Sequence, residues 1–310
     1  MTEEKTLNGP RFEQLKTVHF EETCCPVCGS RQETRNYQKR IRSYTMRYAT
    51  CAACGSIYAN PRATAESLRN IYASEDFFEG KGKQINYFSF IRGEPYLVKT
   101  ARSRLRRIQK FAKGADLLEI ASAAGFFLKE AKAAGLNVNG VEISAPMARW
   151  ASQQWDVPIR AESIEEIDLP DNRYDVVASW GVFTILRDPN SVMRKVYRSL
   201  RPGGVFALNT YYSESLWGRL WKKNWYILVL NTSQILSRSA LMGMFRSNGF
   251  EVVSMRRDRP YASVQYLLFQ LLNHLPFATG EALFNRIRFL NRWVFPVIAP
   301  DNYEYICVKK

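Results

Sequence analysis

Histidine is almost missing from this chain: His19 and His274 are the only two among 310 residues. An imidazole general base is therefore scarce, and chemistry that depends on one is hard to place. His19 falls near a cysteine cluster and is read as a loop residue, not a metal ligand. The first residues, MTEEKTLNGPRFEQLK, carry no apolar core, so no secretory signal is expected. No uninterrupted apolar run reaches the roughly 18 residues of a bilayer span. The longest candidate, Tyr261 to Ala278, is broken by Gln265, Gln270, Asn273, His274 and Pro276. A cytoplasmic location is the expectation. Internal repeats and low-complexity tracts are absent as well.

Acidic residues are also few, 29 against 44 Lys and Arg, which leaves a net charge of +15. That balance suits phosphates, nucleic acid or an anionic membrane surface without choosing among them. Many of the basic residues fall between Arg102 and Lys113 and between Arg286 and Arg292. What is plentiful is apolar: 46% hydrophobic residues with 13% aromatics exclude general disorder. The length is ample for a buried core, as one large domain or two modest ones.

Four of the six cysteines carry a spacing. Cys25-Pro-Val-Cys28-Gly29 and Cys51-Ala-Ala-Cys54-Gly55 are two C-x-x-C-G knuckles joined by a polar, basic segment. A thiolate pair at this spacing wraps one side of a tetrahedral zinc, and the following glycine lets backbone amides turn toward sulfur. Two pairs complete a closed site with no position left for water, so the zinc is expected to be structural. Disulfides do not suit a cytosolic chain, and a redox motif would use one knuckle rather than two. Cys24 abuts the first knuckle, but Cys25 has the right offset. Cys307, in an apolar C-terminal stretch, reads as a small buried hydrophobe. Arg31, Arg35, Lys39, Arg40, Arg42 and Arg47, interleaved with Tyr37, Tyr44 and Tyr48, make nucleic-acid binding imaginable. A solvated basic hairpin braced by its aromatics is the preferred reading.

Past Asn60-Pro61, Thr64 is a possible cap for a helix with Ser67 to Tyr72 as its body. A second helix is expected over Tyr96 to Ala112, its apolar stripe formed by Leu97, Ala101, Leu105, Ile108 and Ala112. Its Arg102, Arg106, Arg107 and Lys110 are read as a solvated face. Strands are then expected near Asp116–Ile120, Val138–Ile143, Val157–Ala161, Tyr174–Trp180 and Val205–Thr210, alternating with helices. That alternation predicts right-handed crossovers and a parallel sheet. Two more strands, Phe250–Met255 and Tyr303–Val308, flank a helical segment carrying Val264, Leu267, Leu268, Leu271, Leu272 and Leu275.

The stretch LLEIASAAGFFLKEAKAAGLNVNGVEIS, Leu117 to Ser144, reads as strand, small-residue turn, amphipathic helix, strand and terminal acid. This is the first βαβ unit of a nucleotide-binding sheet. A dinucleotide fingerprint would need a third small residue at position 126, where Phe126 stands, so NAD and FAD are disfavoured. The spacing small-x-small-x-Gly is met by Ala121, Ala123 and Gly125, and S-adenosylmethionine is the usual ligand over such a turn. Glu142, ending the second strand, can accept from both ribose hydroxyls. Alanine in left-handed backbone would cost about 1–2 kcal/mol, whereas at negative φ its methyl would only narrow the floor.

On these residues the chain resembles a class I S-adenosylmethionine-dependent methyltransferase of the group carrying an N-terminal zinc-binding ribbon. CPVCGS, CAACGSIYANPRATAESLRNIY and DFF match that group's N-terminal pattern. YDVVASWGVFTILRDPNSVMRKVYRSLRPGGVFALNT matches its fourth and fifth strands. The resemblance implies that Glu119 lies near the amino group of the methionine moiety and that the backbone at Ala121, Ala123 and Gly125 lines the cofactor. It further implies that Glu142 holds the ribose, Ile143 packs on the adenine, and Glu162 with Ser163 approaches the adenine edge. Trp180 and Gly181 would border the methionine portion and the substrate.

Two departures bear on activity. Where relatives show Glu-His after the fourth strand, this chain has Thr184 and Ile185. Where they often show Pro-Pro-Glu-His, it has Val229, Leu230, Asn231 and Thr232. Tyr211, Tyr212 and Glu214 are the nearest polar candidates for an acceptor pocket, and no residue is named as catalytic. Trp217 to Leu230, with Phe269, Phe284, Trp293 and Phe295, could form a lid, touch a membrane surface, or simply cap the sheet.

The expected architecture is α/β: a Rossmann-like, seven-stranded, mostly parallel sheet with helices on both faces, plus a small N-terminal zinc ribbon. Residues 1–60 are assigned to the ribbon and 61–113 to linking and capping helices. Residues 114–310 form the methyltransferase domain, with helical, aromatic insertions around 214–245 and 261–300. The expected function is methyl transfer from S-adenosylmethionine to a small-molecule acceptor, bulky, apolar or glycosylated. The alternatives are a catalytically retired scaffold binding cofactor or a partner, and a zinc-ribbon RNA methyltransferase.

Overall fold

The computed structural model describes residues 18–41, 43–74, 93–272 and 287–310. Arg42, Asp76 to Phe78, His274 and Phe284 lie outside the described residues, as does much of the stretch expected to be helical after residue 272. Strand β1 (Phe20–Glu21) pairs with β5 (Arg62–Ala63), bracketing a hairpin of β2 (Glu33–Ile41) and β3 (Tyr44–Cys51) and the short β4 (Ile57–Ala59). Helix α1 (Ala65–Ala73) begins at Thr64, whose hydroxyl accepts the Ser67 amide, so the cap expected from the sequence forms. Helix α2 (Glu94–Ile108) stops short of Ala112 because the chain tightens, Lys110 and Phe111 donating to carbonyls only three residues back.

Next come β6 (Asp116–Ile120), α3 (Phe126–Ala133), β7 (Asn137–Val141), α4 (Ala145–Trp155), β8 (Ile159–Arg160), β9 (Tyr174–Trp180), α5 (Pro189–Ser199) and β10 (Leu200–Tyr211). The chain closes with α6 (Leu216–Trp221), β11 (Gln234–Ile235), α7 (Arg238–Ser247), β12 (Phe250–Arg257), β13 (Tyr261–Ser263), α8 (Val264–Leu272), β14 (Val294–Pro296) and β15 (Asn302–Lys309). Seven strands form the main sheet in the order β12-β15-β10-β9-β6-β7-β8, parallel except for β15.

Period-two alternation sends successive strand residues to opposite faces, and each face meets its own helices. Leu118, Ile120, Val177, Phe206 and Leu208 pack with α5 and α7 through Val192, Val196, Leu241 and Phe245. Leu117, Val176, Ala178, Val205 and Ala207 pack instead with α2 and α3 through Ala101, Leu105, Ile108 and Leu128. Burial on both faces explains why these strands read as continuous apolar runs.

Three features differ from the sequence expectation. The third parallel strand shrinks to β8, an edge strand that begins after Pro158, which has no amide to donate. A two-residue strand, β11, extends the ribbon sheet to four strands in the order β11-β4-β3-β2, and β13 pairs with β14. Arg107 does not lie on a solvated face: its guanidinium is largely buried and pairs with Glu304 of β15. Arg102 keeps its exposure while pairing with Glu130.

Candidate functional site

Strands β6 and β9 are neighbours whose onward connections leave to opposite sides, so the switch point lies beyond their carboxyl ends. Glu119 and Trp180 stand at those ends, and the turn from Ala121 to Gly125 leads into α3. All three small residues of that turn hold left-handed backbone, with φ of 55° at Ala121, 46° at Ala123 and 70° at Gly125. The costly case for the alanines is thus the one this chain adopts. At Gly125 a Cβ would also come within 3.1 Å of the Ala151 methyl and the Trp155 ring.

The turn is fastened from the end of β7. Glu142 is buried, one carboxylate oxygen accepting the Ala123 amide at 2.8 Å and the other the Ser144 amide at 2.9 Å. Burial raises its carboxyl above the ordinary range, and these amides oppose the shift. Glu142 is therefore a clamp on the turn, with one further lone pair on each oxygen for a ligand.

Beside the turn lies a cavity of about 290 Å³, at the lower end of pockets that hold small ligands. Ala121, Ile143, Glu162 and Ser163 line it from the sheet edge, and Leu68 and Tyr72 of α1 close it from above. Four of the ten expected residues thus meet in one place. Glu119, Ala123, Gly125, Glu142, Trp180 and Gly181 follow the switch point but do not line this cavity. Glu162 is exposed and pairs with Arg160 at 2.9 Å.

The other side of the switch point is polar and incompletely satisfied. Glu119 Oε2, Trp180 Nε1, Ser179 Oγ, Thr210 Oγ1, Asp258 Oδ1 and Arg104 Nε are buried atoms without a hydrogen-bond partner among the described residues. The Arg104 guanidinium lies 4.2 Å over the Trp180 ring and donates to Asp258 Oδ2 at 2.7 Å. Asn209 Nδ2 donates to the same oxygen at 2.7 Å, while Asn209 Oδ1 accepts the Gly181 amide at 2.6 Å. Burial holds the Glu119 carboxyl well above its usual range, with the Arg104 charge acting against it. Native interiors leave few such atoms unpaired, so the cluster suits a small ligand with both a cationic and an anionic group.

Arg104, Asn209 and Asp258 were missed by the sequence reading. Arg104 sits three residues after Ala101 and four before Ile108, on the buried stripe, and the run of basic residues around it hid that position.

The four knuckle sulfurs lie within 4.8 Å of one another. Cys25 and Cys54 approach to 3.6 Å and Cys28 and Cys51 to 3.5 Å, close to the roughly 3.8 Å edge of a tetrahedron with Zn–S near 2.3 Å. Gly29 and Gly55 take left-handed backbone and donate to the carbonyls of Cys25 and Cys51. None of the six cysteines is in a disulfide, and Cys24 stays outside the cluster. The donor set fits a zinc ion.

The two places that lack histidine come together. Ser233 and Gln234 both donate their amides to the Thr184 carbonyl, and Ser233 Oγ donates to the Ile185 carbonyl. Thr232 Oγ1 donates to the Ile227 carbonyl at 2.6 Å, and Asn231 Nδ2 donates to the Tyr72 hydroxyl at 2.9 Å. Ile185 and Tyr72 line the cavity. Of the polar candidates after the fifth strand, Glu214 is engaged by the Arg238 amide at the start of α7, and the buried Tyr212 hydroxyl has no partner among the described residues.

A model described as a methyltransferase domain matches residues 90–255. An uncharacterized methyltransferase of Bacillus subtilis is 28% identical over 101 residues, 31% of this chain and 56% of the relative. A malonyl-[acyl-carrier protein] O-methyltransferase of Pseudescherichia vulneris is 32% identical over 103 residues, 33% of this chain and 41% of the relative. The chain spans about half the length of the curated relatives it matches. Among solved structures, a SAM-dependent methyltransferase from Thermotoga maritima aligns with a TM-score of 0.46 at 19% identity, covering 70% of this chain and 92% of its own. With more than half of its 310 residues inside the matched model, the chain belongs to the methyltransferase-domain family.

Proposed function

We propose that this chain transfers a methyl group from S-adenosylmethionine to a small-molecule acceptor with a bulky, apolar or glycosylated portion. The observation that carries the reading is the left-handed turn clamped by Glu142, with an apolar cavity on one side and unsatisfied buried polar atoms on the other. Bound, the cofactor supplies a methyl on a sulfonium that is already a strong electrophile. Glu119 would take the ammonium of the methionine end and Arg104 its carboxylate, with Trp180 and Gly181 at the same end. The backbone at Ala121, Ala123 and Gly125 would lie beneath, and the spare lone pairs of Glu142 would accept the ribose hydroxyls. Ile143, Glu162 and Ser163 would border the adenine in the cavity.

The chain's part in the reaction is then alignment and exclusion of water, because in-line displacement needs the donor and acceptor held in register. Among the described residues, no histidine lines the cavity to remove a proton. An acceptor that ionises readily suits this site better than an ordinary alcohol. Cys25, Cys28, Cys51 and Cys54 would hold a structural zinc that sets the ribbon against the body of the protein. Calorimetry with S-adenosylmethionine and its demethylated product tests the reading: binding of both is expected, and binding of neither would refute it. A retired scaffold is the second reading, favoured by the internally bonded Thr184 and Thr232. Binding without turnover of any acceptor across a metabolite panel would support it.

A further inference from the structure

Helix α6 is seated through its glycine. A Cβ at Gly218 would lie 2.8 Å from the Trp225 ring and 3.0 Å from Ser215 Oγ, so only glycine fits this contact. Trp225 is itself immobilised, 1% exposed, with its indole N–H donating to Asp301 Oδ2 at 2.8 Å. With the glycine side packed, the large apolar residues of α6 point outward. Leu216 is 69% exposed, Trp217 39%, Leu220 65% and Trp221 51%. Positions 216 and 220, and 217 and 221, are one turn apart, so they form a single stripe. The two indoles stack 6.0 Å apart at 22°, which presents a ready-made aromatic surface.

The charge carried along this segment is basic. Arg219, Lys222 and Lys223 are exposed beside it, and no Asp or Glu occurs from residue 215 to 250. Beyond the lysines, the half-exposed Tyr226 donates its hydroxyl to Asp301 Oδ1 at 2.8 Å. That bond holds the finger's far end beside the segment carrying Ile298, which is 57% exposed.

We propose that α6 and the lysines after it are a docking finger for the surface of an anionic lipid bilayer. The matching chemistry is specific: leucines for the acyl boundary, indoles for the headgroup level, and cations for lipid phosphates. Each exposed cation adds attraction to a negative surface, and no ion pair among the described residues engages Arg219, Lys222 or Lys223. The chain does not cross the membrane in this arrangement; among the described residues no helix is long and apolar enough to do so. The inference stands apart from the methyl-transfer reading, since α6 contributes nothing to the lining of the cavity.

Sedimentation of the full chain with vesicles tests it, using phosphatidylcholine alone and phosphatidylcholine with about one part in three phosphatidylglycerol. The anionic vesicles are expected to carry the protein down at low salt and to release it as salt is raised. Brominated acyl chains are expected to quench part of the tryptophan fluorescence. Leu220→Ser with Trp221→Ser should weaken binding about tenfold or more, and Lys222→Gln with Lys223→Gln by a similar factor. Because all four side chains are exposed, melting temperatures should stay unchanged. Failure of the wild-type chain to bind anionic vesicles would overturn the proposal, as would undiminished binding by the serine variant. Self-association abolished by the serine variant would assign the stripe to a second copy of the chain and overturn it equally.

Discussion

Ala121 and Ala123 hold backbone angles at which a Cβ crowds the next carbonyl, at a cost near 1–2 kcal/mol each. Replacing either with glycine relieves that crowding but loosens the unfolded chain, which takes back about 0.4–1 kcal/mol. Ala121→Gly and Ala123→Gly are each expected to stabilise the protein by about 0.5–1 kcal/mol, read as a higher urea midpoint at unchanged slope. Glu119 gives a pH signature. Burial raises its folded pKa above the ordinary 4.5, so the folded chain holds this proton more tightly than the unfolded one. Stability from this group is therefore fully present below pH 4.5 and falls as pH rises toward the folded pKa. Glu119→Gln should be more stable than wild type at neutral pH, with the gap closing near pH 4.5, while binding S-adenosylmethionine more weakly. At this scale the sequence was informative about which positions form the turn, because spacing survives substitution. It was silent on φ, since alanine gives no hint that it sits where glycine belongs. It also hid Arg104, whose burial depends on Asp258 and Trp180 far along the chain.

Among elements, the cysteine hairpin and the cavity are linked by a chain of contacts. Lys39 of β2 donates its ammonium to the carbonyls of Trp225 and Leu228, and Tyr48 of β3 donates to that of Val229. Two residues later, Asn231 bonds Tyr72 on the wall of the cavity. The second knuckle is held too, since Ser213 donates to the Gly55 carbonyl and Ser237 to that of Cys54. Metal removal should therefore be felt at the cofactor site. Metal analysis is expected to find about one zinc per chain. Chelation should lower the melting temperature by at least about 5 °C and weaken S-adenosylmethionine binding in the same titration. An unchanged cofactor affinity in the metal-free protein would break this link. The four-cysteine cluster was legible because the spacing of such knuckles is local. Strand β11 was not, because two residues carry no periodicity and its pairing partner is remote in sequence.

For the molecule as a whole, α2 and the C-terminal strand β15 are fastened by Arg107 and Glu304, both largely buried. Arg107→Met would leave Glu304, among the described residues, with only Arg256, at 3.6 Å, and should cost about 3 kcal/mol. Adding Glu304→Leu removes the stranded charge, so the double variant should recover most of that loss in urea unfolding. The sheet's mostly parallel character followed from strand–helix alternation, the signal least sensitive to any single residue. The β13–β14 pair was not anticipated, for the same reason as β11. Gln234 pairs with Tyr58 and Ile235 with Ile57, so β4 stays an open edge until residues far downstream exist. On a ribosome adding about 5–20 residues per second, the hairpin waits on the order of ten to thirty seconds for that partner. During that interval a nascent edge strand is available to other chains, and early metal loading leaves it open. Yield in a cell should then depend on translation speed and on holdase chaperones more than the finished protein's stability would suggest.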